Sequence, residues 1–94
     1  MERLKKAIES AINKAGIEKA LKQESAVFLW QEVVGRTVSK AAKAEKVDRG
    51  ILIVKTDSSV WRQELQMQKE QLIEKINKKI GSNAIKEIRF ILTK

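Results

Sequence analysis

Ninety-four residues with a net charge of +8 and a pI near 9.9 are enough chain for one modest core, hiding about 60 to 65 per cent of the unfolded surface. The absence of cysteine and histidine excludes disulfides, thiolate nucleophiles, imidazole bases and most zinc or transition-metal sites. The lysine and arginine excess favours polyanionic partners, because each phosphate neutralised releases condensed counterions; the same charge also serves as a solvated face in lysine- and glutamate-rich sequences of thermophile type.

In chain order, Leu4, Ala7, Ile8, Ala11, Ile12 and Ala15 recur at three- and four-residue intervals, which predicts a helix over 2–15 with a narrow apolar stripe. Gly16 is positioned to end it in the left-handed conformation, with Ile17 folding back on the last turn. A second helix is expected to run to about Val34, with an interruption near Gln23 to Ser25, where Ser25 can cap a new start. Its second half, Ala26 to Trp30 with Val33 and Val34, is apolar on nearly every side, the mark of a central helix. Trp30 has the chemistry of a base-stacking platform, but its place among Phe28, Val33 and Val34 argues for the core.

After Gly35 the helical period is lost. Residues 42–47 alternate, with Ala42, Ala44 and the stem of Lys46 facing one way and Lys43 and Glu45 the other. Asp48-Arg49-Gly50 reads as a tight turn, and Ile51 to Val54 as a strand covered on both faces near its middle. Asp57, Ser58 or Ser59 can cap a long helix reaching Ile80, with Trp61, Leu65, Leu72, Ile73, Ile76 and Ile80 in one sector. Gly81 stops it, and 85–92 forms a final strand in which Ile88, Phe90 and Leu92 share a face.

The expected class is α+β, in the order α-α-β-β-α-β, with a small three-stranded sheet covered by helices and one domain over residues 1–94. The chain lacks proline, linker, repeat and low-complexity tract. No apolar run reaches the roughly 18 residues a membrane span needs, and the N-terminus is amphipathic and unlike a signal peptide, so a cytoplasmic location is expected. Asp48 and Asp57 sit where a turn or cap wants them. No enzyme activity, cofactor or metal is expected.

Trp30-x-x-Val33-Val34-Gly35, Gly50-x-Leu52-x-Val54, Ser58-Ser59-x-Trp61-x-x-Glu64-Leu65, Ile76-Asn77-x-x-Ile80-Gly81 and Ile88-Arg89-Phe90 follow one another over nearly the whole chain. In this the sequence resembles the DciA family. The resemblance implies a KH-like fold and a bacterial replication factor that helps place the DnaB-type replicative helicase on DNA during initiation. Most of the shared residues are core and turn positions, which transfer a fold more safely than an activity. The glycines at 16, 35, 50 and 81 form no Gly-x-x-Gly pair, so the loop with which KH domains clamp a nucleic-acid backbone is missing. The sequence also ends two residues after the last expected strand, with no disordered extension of the kind some family members use, so binding is expected from the folded surface.

Arg36, Lys40, Lys43 and Lys46 are four cations within eleven residues, opposed only by Glu45; Lys55 and Arg62 are expected to join them at one end of the sheet. About five phosphate contacts would give a log–log salt slope of roughly −3.5 on single strands or −4.5 on duplex, with weak, sequence-blind binding. The competing account is a solvated edge whose charges discourage edge-to-edge pairing. A second candidate is the N-terminal helix, where Arg3, Lys5, Lys6, Lys14, Lys19 and Lys22 are diluted by Glu2, Glu9 and Glu18; Lys86 and Arg89 form a third. The partners expected are DNA and the replicative helicase, with a homodimer through an exposed sheet edge also open. The alternative is a KH-like RNA-binding or ribosome-associated module.

Overall fold

The computed structural model describes the backbone of residues 2–93 and the side chains of residues 16–93. The elements are α1 (Glu2–Ala41), β1 (Ala42–Asp48), β2 (Ile51–Thr56), α2 (Ser59–Met67), α3 (Lys69–Ile80) and β3 (Glu87–Leu92). The expected α+β class holds, with one difference in order: the additional helix follows the hairpin and does not precede it. The sheet runs β1-β2-β3, with β1 and β2 antiparallel and β2 and β3 parallel.

Two breaks expected in the first forty residues are absent. Gly16 lies inside α1, and its neighbours continue the helix. Ser25 does not cap a new start; its Oγ donates to the Lys22 carbonyl at 2.7 Å, a back-bond compatible with a helix interior. The real interruption is at Gly35, whose φ of 87° and ψ of 168° fall where only glycine is comfortable. The helix then resumes to Ala41 on a new axis.

These two glycines therefore respond oppositely to a methyl group. A Cβ at Gly16 meets nothing within 4 Å, so Gly16→Ala should stabilise the fold by about 0.5–1 kcal/mol. At Gly35 the positive φ makes Gly35→Ala cost about 1–3 kcal/mol. Urea melts of the two variants should shift in opposite directions; a shift of both to higher midpoint would contradict the kink.

Side chains alternate along the strands between a packed and an open face. Leu52, Val54 and Thr56 of β2 and Ile88 and Phe90 of β3 are buried, whereas Ile51, Ile53 and Ile91 are only partly covered and Lys55 and Arg89 are exposed. The expectation that β2 is covered on both faces is thus corrected: its helical cover is one-sided. Against the packed face sit Ala26 and Trp30 of α1, Leu65 of α2, and Leu72 and Ile76 of α3. The Trp30 ring lies 6.1 Å from that of Phe90, and its Nε1 donates to the Ala42 carbonyl at 2.9 Å. Trp30 is 1% exposed, which settles it as core. Phe28 is 79% exposed and does not join it, because two residues further back on a helix a side chain points about 200° away.

The predicted helix over 58–80 is two helices. Ser58 Oγ caps α2 by accepting from Trp61 N at 3.1 Å, as expected. At Gln68 the backbone leaves the helix (φ −98°, ψ 6°), so α2 leans on β3 and β2 while α3 packs along α1. Gly81 closes α3 in the left-handed conformation, its N–H donating to the Asn77 carbonyl at 2.8 Å. Lys69 and Glu87 pair at 3.1 Å; the Lys69 hydrogen bond, helped by the Ile88 N–H, holds the Glu87 carboxyl below its usual range. No helix of the described residues is long and apolar enough to cross a membrane.

Candidate nucleic-acid interface

The end of α1, the Gly35 kink and the start of β1 build one open groove of about 540 Å³. Arg36 and Lys40 reach it from the short helical segment after the kink, and Lys43 from the edge strand. Val27 and Gln31 also line it, and no carboxylate does. Trp30 forms part of its floor but is too buried to stack on a base. The hydrogen bond from its indole to Ala42 fixes β1 against α1 at this point, so the three cations are displayed on a rigid corner.

Lys46 reaches the same side of the sheet as Lys43, by a route the sequence did not reveal. A bulge between Ala44 and Lys46 adds one residue to β1 and inverts its alternation. Lys46 therefore pairs with Ile53 on the open face, and Val47 with Leu52 on the packed one; the expected placement of the Lys46 stem beside Ala42 and Ala44 is corrected. Lys55 sits directly across from Lys43. Like charges so placed repel, and Glu45 offsets this by pairing with Lys55 at 3.1 Å. Arg62 stands apart on α2, in a separate shallow depression with Ser59, Gln63 and Gln66.

Of the six expected contacts, Arg36, Lys40 and Lys43 thus share one groove, Lys46 and Lys55 lie on the adjoining sheet face, and Arg62 faces elsewhere. The three ion pairs found among the described residues involve Lys55, Lys69 and Lys79, which leaves Arg36, Lys40, Lys43 and Lys46 outside them. The bulge and the edge lysines are also devices that discourage another strand from pairing with β1.

A second and larger depression, about 680 Å³, gathers Lys19 and Lys22 of α1, Arg49 of the hairpin turn and Lys86 at the start of β3. Lys19, Lys22 and Lys86 belonged to two separate lesser candidates in the sequence, and Arg49 to none. One signal was available for Arg49: a two-residue hairpin turn ending in glycine prefers Asn or Asp before it, and here that position holds arginine.

A family model described as "Dna[CI] antecedent, DciA" matches residues 3–90. A UPF0232 protein of Streptomyces coelicolor is 29% identical over 91 residues, covering 90% of this chain and 48% of the relative. One of Corynebacterium glutamicum is 32% identical over 60 residues, covering 64% and 34%; one of Mycobacterium tuberculosis is 24% identical over 86 residues, covering 92% and 46%. The chain spans about half the length, or less, of these relatives.

Proposed function

The chain belongs to the DciA family, and on that premise we propose that it is a non-enzymatic adaptor that holds DNA by its phosphates and assists placement of a DnaB-type replicative helicase on that DNA. The observation that supports the DNA half of this reading is the groove at the Gly35 kink. Three cations from two elements converge there without a carboxylate among them, which is the arrangement that attracts a chain of phosphates whatever its sequence. Family membership supports the helicase half.

The test is assembly. The purified chain is mixed with the replicative helicase of its own organism, with and without a single-stranded DNA oligonucleotide, and the species are sized. A complex containing all three components is the expected result. Tight binding to matched RNA with neglect of DNA, and no co-elution with the helicase, would overturn the reading in favour of an RNA-binding module.

A further inference from the structure

We propose that the depression formed by Lys19, Lys22, Arg49 and Lys86 is a second phosphate site, and that one single strand of nucleic acid runs along α1 and the β1 edge from the Gly35 groove to reach it. The inference rests on the nucleic-acid reading above and adds to it a position, a path and a length.

The path follows from helix geometry. Lys19 and Gln23 line the second depression, and Val27 and Gln31 the groove. These four residues recur at intervals of four, so they form one ridge that winds about 120° around α1. β1 returns beside that ridge, presenting Lys43 in the groove and ending at Arg49 in the turn beyond. Twelve helical steps from Lys19 to Gln31 span about 18 Å, and six strand steps from Lys43 to Arg49 about 20 Å. At about 3.4 Å per stacked nucleotide, this is a track of about six nucleotides.

The far site is built, not incidental. Gly50 is buried, and a Cβ there would stand 3.4 Å from the Ala84 carbonyl, so the hairpin turn is pressed against the loop before β3. Lys86 N donates to the Gly50 carbonyl at 2.8 Å. Asn77 holds the same loop from α3, donating from Nδ2 to the Ile85 carbonyl at 2.8 Å and accepting from Ile85 N at 2.9 Å. Arg49 occupies this frame at φ +53°, a left-handed conformation that costs an arginine and suits Asn or Gly. A residue held in a conformation its backbone disfavours points to a use for its side chain. The stripe of α1 that is apolar at Ala26 and Trp30 carries Lys19, Lys22 and Gln23 where it passes this turn. Glu18 is the one carboxylate lining the site, leaving three net positive charges.

The experiment measures the affinity of an oligodeoxythymidine of about 16 nucleotides, a length within the range of single-strand sites, across a salt series. The proteins are the unaltered chain and the variant Lys19→Gln/Lys22→Gln/Arg49→Asn/Lys86→Gln. Seven contacts give a slope of about −5 and three a slope of about −2, so the variant should lose more than half the slope. Arg49→Asn alone should raise the melting temperature, which separates lost charge from lost fold. If the unaltered chain binds with the steep slope and the variant keeps it, the second site is wrong and the groove stands. If the unaltered chain does not bind DNA at all, the functional reading itself fails.

Discussion

Trp30→Ala should unfold this protein or bring it close to unfolding. The indole is the largest fully buried side chain, and truncating a buried tryptophan costs about 3–5 kcal/mol through lost burial and the cavity left behind. The change also strips the Ala42 carbonyl of its donor, adding the desolvation penalty of a buried, unsatisfied acceptor, about 1–3 kcal/mol. A domain of this size has a total stability of about 5–14 kcal/mol, so the loss is a large share of the whole. Thermal melts should show a drop of roughly 15 °C or more, since 1 kcal/mol moves the midpoint of such a domain by about 4–8 °C. Trp30→Phe should retain more of the core while still losing the hydrogen bond. A Trp30→Ala variant melting within a few degrees of the parent would mean that α1 is not held to β1 as described.

The second large effect concerns binding and leaves the fold alone. Replacing Arg36, Lys40 and Lys43 together by Gln should lower affinity for single-stranded DNA on the order of a hundredfold at about 50 mM salt and flatten the salt slope by about two. All three side chains are exposed and lie outside the ion pairs found among the described residues, so each change should alter stability by no more than about 0.5 kcal/mol. Lys43→Gln also removes the repulsion across the ladder from Lys55. Loss of affinity with an unchanged melt is the signature of a contact surface. Unchanged affinity would move the site away from the Gly35 corner.

Much of this architecture could be read from residue pattern, and the failures share a cause. The hairpin, the Ser58 cap, the Gly81 stop and the burial of Trp30 all rest on local chemistry, which a sequence displays directly. Gly16 and Gly35 look alike in sequence because both follow a stretch of helical period; only the backbone each inherits from its packing separates them. The break at Gln68 was hidden because Leu65 and Leu72 are seven residues apart, and such spacing fits one continuous helix as well as two. The bulge at Glu45 carries no glycine or proline to announce it, yet it moves Lys46 to the open face. The same distinction runs through the basic surface. Arg36, Lys40 and Lys43 are neighbours in the chain and group by sequence alone, whereas Lys19, Arg49 and Lys86 meet only through the tertiary fold.

The most direct test of the central claim, that nucleic acid is held by its phosphates at the corner where α1 meets β1, is an amide chemical-shift titration with a single-stranded DNA oligonucleotide at low salt. The expected result is that the largest shifts fall on residues 36–44 and on the Trp30 indole N–H beside them, and that they fade as salt is raised. Shifts confined to the outer surfaces of α2 and α3, or shifts at the corner that persist in high salt, would contradict it.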